Sequence, residues 1–148
     1  MKVKTTMMNI WKMTYETEKA KGLHLGNIKG SIQNWPWAKN KNRRVESALA
    51  RLRLGHVGLN KHLCRFNLIN SPLCLRCNTE ETTNHFLLQC DNYAPARRKM
   101  LRNLQLLNIV NPSIADLLGG GPYKEDTQNK IVAILSTYLC ETRRLSEL

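Results

Sequence analysis

Residues 73–90 read Leu73-Cys-Leu-Arg-Cys77-Asn-Thr-Glu-Glu81-Thr-Thr-Asn-His85-Phe-Leu-Leu-Gln-Cys90. Three thiols and one imidazole follow the pattern C-x2-C-x7-H-x4-C, at Cys74, Cys77, His85 and Cys90. A C-x2-C turn lets two thiolates face one point while backbone amides turn toward the sulfurs. His85 and Cys90 can reach that point from the start and the end of a short helix, which Thr82 or Thr83 can cap. Four soft-to-borderline donors in a tetrahedron suit zinc, and a closed Cys3His shell leaves no position for a substrate or a reactive water. The expectation is one structural Zn2+, whose surplus thiolate charge Arg76 and nearby amides offset.

The other cysteines, Cys64 and Cys140, bring the count to an odd five. With three of the five packed beside a histidine, reduced thiols and a metal fit better than a disulfide framework. Cys64 and Cys140 read as simple buried residues. His24, His56 and His62 read as surface or capping residues, with His56 placed after Gly55 to bond free helix carbonyls.

Outward from the cluster, the chain is patterned for helices. Met7, Met8, Trp11 and Tyr15 recur at helical spacing, and Gly22 ends that stretch. Residues 22–41 read as a connection broken by Gly22, Gly26, Gly30 and Pro36. Asn42 is placed to cap a helix with Val45, Ala48, Leu49 and Leu52 on its apolar face and Gly55 as its stop. A short helix through Leu59, Leu63 and Phe66 turns Lys61 and Arg65 away from the core. Beyond Cys90, Pro95 suits a first helical turn, and Met100, Leu101, Leu104 and Leu107 share one face. Ile114–Leu118 makes one turn before three glycines, and a last helix spans roughly 126–145. The predicted fold is mainly α: a small helical domain with one embedded CCHC zinc knuckle, a short hairpin plus a short helix. An N-terminal helix and Trp/Lys-rich linker occupy 1–41, the helical zinc-binding domain 42–148, and the knuckle 72–91.

Charge is unevenly placed. The chain carries a formal +12. Residues 1–72 hold 14 Lys/Arg against 3 acids, a surplus of 11, while residues 73–148 hold 9 against 8, a surplus of 1. One basic half points to a polyanion such as RNA or DNA as partner. Lys39, Lys41, Arg43, Arg44, Arg51, Arg53, Lys61 and Arg65 are the candidate phosphate contacts. Trp35 and Trp37, interleaved with those cations, are candidates for stacking on unpaired bases. The same two rings could instead anchor their loop on the core. No apolar run reaches transmembrane length, and no secretory signal is evident, so the chain is expected to be intracellular, nuclear or cytoplasmic. No small-molecule substrate is expected. Glu80 and Glu81 lie between the ligands, yet a closed shell gives them no water to activate, and a HExxH motif is missing.

The segment Arg51-Leu-Arg-Leu-Gly-His56, with Leu59-Asn60, Leu63, Ser71-Pro-Leu-Cys74, Cys77 and Glu80 through Cys90, carries a resemblance. It resembles the C-terminal tail of jockey-type non-LTR retrotransposon reverse transcriptases, where an R-L-R-x-G-H segment and a CCHC motif follow the RNase H domain. The likeness is specific between Arg51 and Cys90 and loose outside it. It implies a role in binding template RNA or target DNA during target-primed reverse transcription, and the parent reverse transcriptase as a further partner. The chain departs from a polymerase or RNase H in lacking their carboxylate clusters: Asp91, Asp116 and Asp126 are isolated. A non-catalytic nucleic-acid-binding module is the expected function. The alternative is an adaptor that docks on a retroelement protein through the zinc lobe and the last helix.

Overall fold

The structure is a computed structural model that describes residues 2–22, 24–30 and 42–148, with side chains from Thr5 onward. It is mainly helical. The helices are α1 (Lys2–Ala20), α2 (His24–Ile28), α3 (Arg43–Leu54), α4 (Asn60–Arg65), α5 (Ala94–Gln105), α6 (Ile114–Leu118) and α7 (Glu125–Glu141). Local signals explain several of the boundaries. The Asn42 side chain accepts a hydrogen bond from the Arg44 amide at 3.0 Å, and Gly55 closes α3 at φ 74°. That left-handed geometry favours glycine. Ser113 and Asp116 form a reciprocal capping box on α6, which satisfies donors that a five-residue helix could not otherwise pair.

The core forms where α3, α5, α6 and α7 turn their apolar stripes together. Leu49, Leu52, Leu104, Leu117, Ile131 and Leu135 are fully buried there. The apolar face of α7 is used up inside the molecule, since Ile131, Val132, Leu135, Tyr138 and Leu139 are all buried. The adaptor alternative expected an exposed apolar face on that helix, and α7 does not supply one. α1 carries five of the large exposed apolar residues, Met7, Met8, Ile10, Trp11 and Met13, with Trp11 60% exposed and Met13 72%. Helical spacing marked a stripe on α1, but a stripe is buried only when a partner element covers it.

The stretch read as a linker contributes to the core. α2 packs against α3 and α6, and Ile28 is 2% exposed within the apolar cluster. His24 Nε2 bonds the Leu52 carbonyl in the last turn of α3 at 2.8 Å. The carbonyl-capping role expected of His56 thus belongs to His24. The domain core therefore begins before residue 42. Cys64 is half-buried and Cys140 exposed, so neither is the buried core residue expected of it.

α2 is seated against the turn after α6 so closely that a Cβ on Gly120 would lie 1.4 Å from the Ile28 carbonyl oxygen. Gly120→Ala must push α2 off its seat, and overpacking of this kind costs about 1–3 kcal/mol. Thermal unfolding of the variant should show a lower Tm than wild type; an unchanged Tm would mean that α2 is not docked there. Among the described residues, no helix is long and apolar enough to cross a membrane.

Candidate metal centre and cationic surface

The loop from Pro72 to Glu81 brings the first two thiols to one point. Its ends are joined by a single antiparallel bridge between Leu73 and Glu80, and the Cys74 amide donates to the Thr79 carbonyl at 2.8 Å. The expected hairpin is therefore reduced to one bridge, with no strand among the described residues. Asn78 takes φ 53° at the turn, a left-handed conformation that Asn tolerates better than most side chains.

The second pair of candidate ligands, His85 and Cys90, comes from the start and the C-cap of a π-helical turn, His85–Gln89. Residues five apart on an α-helix lie about 140° from each other around the axis. The wider turn, closed by the Cys90 amide on the His85 carbonyl at 2.8 Å, brings His85 and Cys90 toward one side. Thr82 caps this helix by accepting from the His85 amide at 3.0 Å.

The four candidate ligand atoms of Cys74, Cys77, His85 and Cys90 lie within 4.8 Å of one another. This is close enough to hold a metal ion. Cys90 Sγ is 3.8 Å from Cys74 Sγ and 3.9 Å from Cys77 Sγ. For metal–sulfur bonds of about 2.3 Å, a tetrahedron has an edge of about 3.8 Å. His85 is buried, and its Nε2 has no hydrogen-bond partner among the described residues. Its Nδ1 lies 3.2 Å from Thr79 Oγ1. A protonated Nδ1 donating to Thr79 leaves the Nε2 lone pair free for a metal, so the residues fit such an ion.

Main-chain amides supply the electrostatic support for the sulfurs. The Asp91 amide donates to Cys77 Sγ at 3.3 Å. Burial acts to raise the Cys74 thiol, but donors from the Cys77 and Arg76 backbone outweigh it and hold the thiol below its ordinary value. Arg76 thus acts through its amide, its side chain being exposed. Burial pushes the Cys90 thiol up to about 12, against the Asn92 amide, so without a cation this sulfur stays protonated.

The predicted cationic contacts separate into groups. Arg43, Arg44 and Arg51 are exposed on α3, and Lys61 and Arg65 on α4. The guanidinium groups of Arg43, Arg44, Arg51 and Arg65 make no ion pair among the described residues, whereas Lys61 Nζ pairs with Glu80 Oε2 at 2.6 Å. Arg53 departs from the expectation of an exposed phosphate contact. It is 8% exposed, and its Nε donates to the Leu118 carbonyl at 3.0 Å. Burial lowers its pKa to about 9, with Glu46 opposing. Val45, Leu49 and Arg53 stand at i, i+4 and i+8, the spacing of one helix face, so this position was open to inference. Trp35, Trp37, Lys39 and Lys41 lie outside the described residues.

Two features had no local signal. Glu81, between the ligands, is buried and binds both the Asn60 amide and Arg144, each at 2.9 Å. Tyr138 of α7 donates to the Phe86 carbonyl inside the π turn at 2.6 Å. The metal loop is therefore tied to α4, α7 and the C-terminal residues at once. Comparison of the chain with protein-family models, with curated proteins and with solved structures gave no match.

Proposed function

We propose that this chain is a non-catalytic nucleic-acid-binding module, held in shape by one structural zinc ion on Cys74, Cys77, His85 and Cys90. In this reading it corresponds to the C-terminal tail of a non-LTR retrotransposon reverse transcriptase and helps to hold template RNA or target DNA. Three thiolates and one imidazole in a closed tetrahedral set favour zinc over harder cations. The observation that carries the binding role is the set of exposed arginines that make no ion pair among the described residues, Arg43, Arg44 and Arg51 on α3 and Arg65 on α4. Cations that no acid neutralises remain available to a polyanion. α3 is rigid, capped at both ends and buried along its inner face, so these cations are presented on a fixed scaffold.

The test is titration of labelled RNA and DNA at two salt concentrations. Joint replacement of Arg43, Arg44 and Arg51 by Ser should leave folding intact, because all three are exposed. It should flatten the salt dependence by about 0.9 log units per log unit of salt for each phosphate that the variant no longer neutralises. Arg53 is left in place because it is buried. Absence of binding by wild type at low salt would overturn the reading.

A second reading, an adaptor for the parent polymerase, is favoured by the exposed Trp11 and Met13 on α1. It predicts weak, salt-insensitive nucleic-acid affinity that the triple Arg variant does not change.

A further inference from the structure

One surface feature is absorbed neither by the metal nor by the α3 arginines. His56, His62 and Phe66 form a ladder of rings outside the core. The His56 and His62 centroids are 5.2 Å apart at 64°, and those of His62 and Phe66 4.9 Å apart at 57°. The Arg65 guanidinium carbon lies 5.1 Å from the Phe66 ring centroid, so a fourth planar group extends the row. The placement follows from the helix: His62 and Phe66 are four residues apart on one side of α4, and His56 arrives from the turn that Gly55 makes.

Phe66 is 51% exposed, so part of its ring surface is open to a ligand. Burial, with His56 and Arg65 alongside, holds His62 below its ordinary pKa. At neutral pH it is therefore a neutral ring that can stack without desolvating a charge. His62 and Arg65 also edge a cleft of about 610 Å3 between α4 and the metal loop. Val57 and Leu59 contribute apolar surface to this cleft, Thr82 and Thr83 polar surface, and Glu80 and Glu81 carboxylates that Lys61 and Arg144 neutralise. Its size falls within the range of pockets that bury small planar molecules.

We propose that His56, His62, Phe66 and Arg65 form a stacking platform for the unpaired bases of a single-stranded nucleic acid, beside this cleft. The inference rests on the reading of the chain as a nucleic-acid binder and adds what part of the polymer is recognised. Base faces stack on aromatic rings and on guanidinium planes, and Arg65 supplies both a plane and a charge for the adjoining phosphate.

The test uses the metal-loaded full chain and labelled strands of about twelve nucleotides, within the span of single-strand binders. The probes are oligouridine, oligothymidine, an abasic strand of the same length and a duplex. Phe66→Ala should weaken binding of base-bearing single strands roughly ten-fold. Affinity for the abasic strand and the duplex should not change, and Phe66→Tyr should restore binding. A loss confined to the RNA or to the DNA strand also supports the platform and names the polymer. If Phe66→Ala fails to fold, Phe66→Leu keeps apolar volume while removing the π face, and the same selective loss is expected. Unchanged single-strand affinity in folded Phe66→Ala and His62→Ala overturns the platform. Wild type that binds the abasic strand and the duplex as well as the base-bearing strands also overturns it, yet leaves the proposed function standing. Wild type that binds none of the four at low salt overturns both.

Discussion

Removal of the metal by a chelator, or Cys90→Ala, is expected to abolish the cooperative unfolding transition of this chain. The reason is that the ligand turn is also part of the apolar core. Phe86 and Leu87, between ligands His85 and Cys90, are both fully buried. Phe86 makes edge contact with the Tyr93 ring at 5.2 Å and a tilted contact with the Tyr138 ring at 5.8 Å. Burial of one such side chain contributes about 1.5–3 kcal/mol, and the Tyr138 hydroxyl would lose its acceptor if the turn detached, at about 1–3 kcal/mol. Against a typical domain stability of about 5–15 kcal/mol, the loss of both side chains and the hydroxyl bond, about 4–9 kcal/mol, is comparable with the lower part of that margin. The free energy of a metal bound by this cluster would thus be largely folding free energy. Far-UV circular dichroism and thermal melts with and without chelator, beside metal analysis of the purified protein, would check this. One zinc per chain and a melt lost in chelator are expected. Full helicity and an unchanged Tm in metal-free protein would sink the structural role.

The four-residue cluster was legible in sequence because its signal is local: residue type and spacing together bring three thiols and an imidazole within reach of one point. α3 was legible for the same reason, since Asn42, Gly55 and the stripe of Val45, Leu49 and Leu52 all act within one helix. α2 was not. Five residues containing a glycine carry no periodicity, and what orders them is tertiary: the buried Ile28 and the bond from His24 to the Leu52 carbonyl. Arg53 shows a different failure. Residue type suggested solvent, whereas its register on the helix placed it inward, and register prevailed because the Leu118 carbonyl offered a partner. α1 failed in the opposite direction: α2 packs against α1, where Tyr15 is half-buried and bonds the Lys29 carbonyl, but Met7, Met8 and Trp11 of its stripe stay exposed. The π turn escaped because a change from i−4 to i−5 bonding leaves the composition of the turn unchanged.

The second large effect is expected at Glu81, which the sequence placed between the ligands without assigning it work. Leu59, at the N-terminus of α4, has no side chain to cap that helix. Glu81 Oε2 accepts from the Asn60 amide in its place. The other oxygen of Glu81 faces Arg144, which also donates to the Tyr93 hydroxyl at 3.0 Å and the Gly58 carbonyl at 3.2 Å. The Glu81 side chain is 6% exposed and that of Arg144 18%, so little solvent screens the pair. Burial by itself lowers the Arg144 pKa, but the bond to Tyr93 and the Glu81 carboxylate more than offset this and raise it. Glu81→Ala removes the cap on α4 and takes from the enclosed guanidinium its buried carboxylate, leaving the more exposed Glu147 as its acidic partner. Breaking a buried pair from one side costs about 3–5 kcal/mol, a fall in Tm of roughly 10 °C for a chain of this length. Metal stoichiometry should not change, because no ligand is touched, and this separates the effect from the one above. Joint replacement, Glu81→Leu with Arg144→Met, should be less destabilising than the sum of the single changes, since neither charge is then stranded. A loss under about 1 kcal/mol for Glu81→Ala, or simple additivity in the cycle, would show that solvent reaches the pair and that α4 is held by packing alone. The same measurement bears on the basic surface. Lys61 and Arg65 ride on α4, so a helix freed at its N-terminus would present them, and the His62–Phe66 rings, without fixed orientation. On the proposed function, nucleic-acid affinity should therefore fall together with stability in Glu81→Ala, whereas in Phe66→Ala affinity should fall alone.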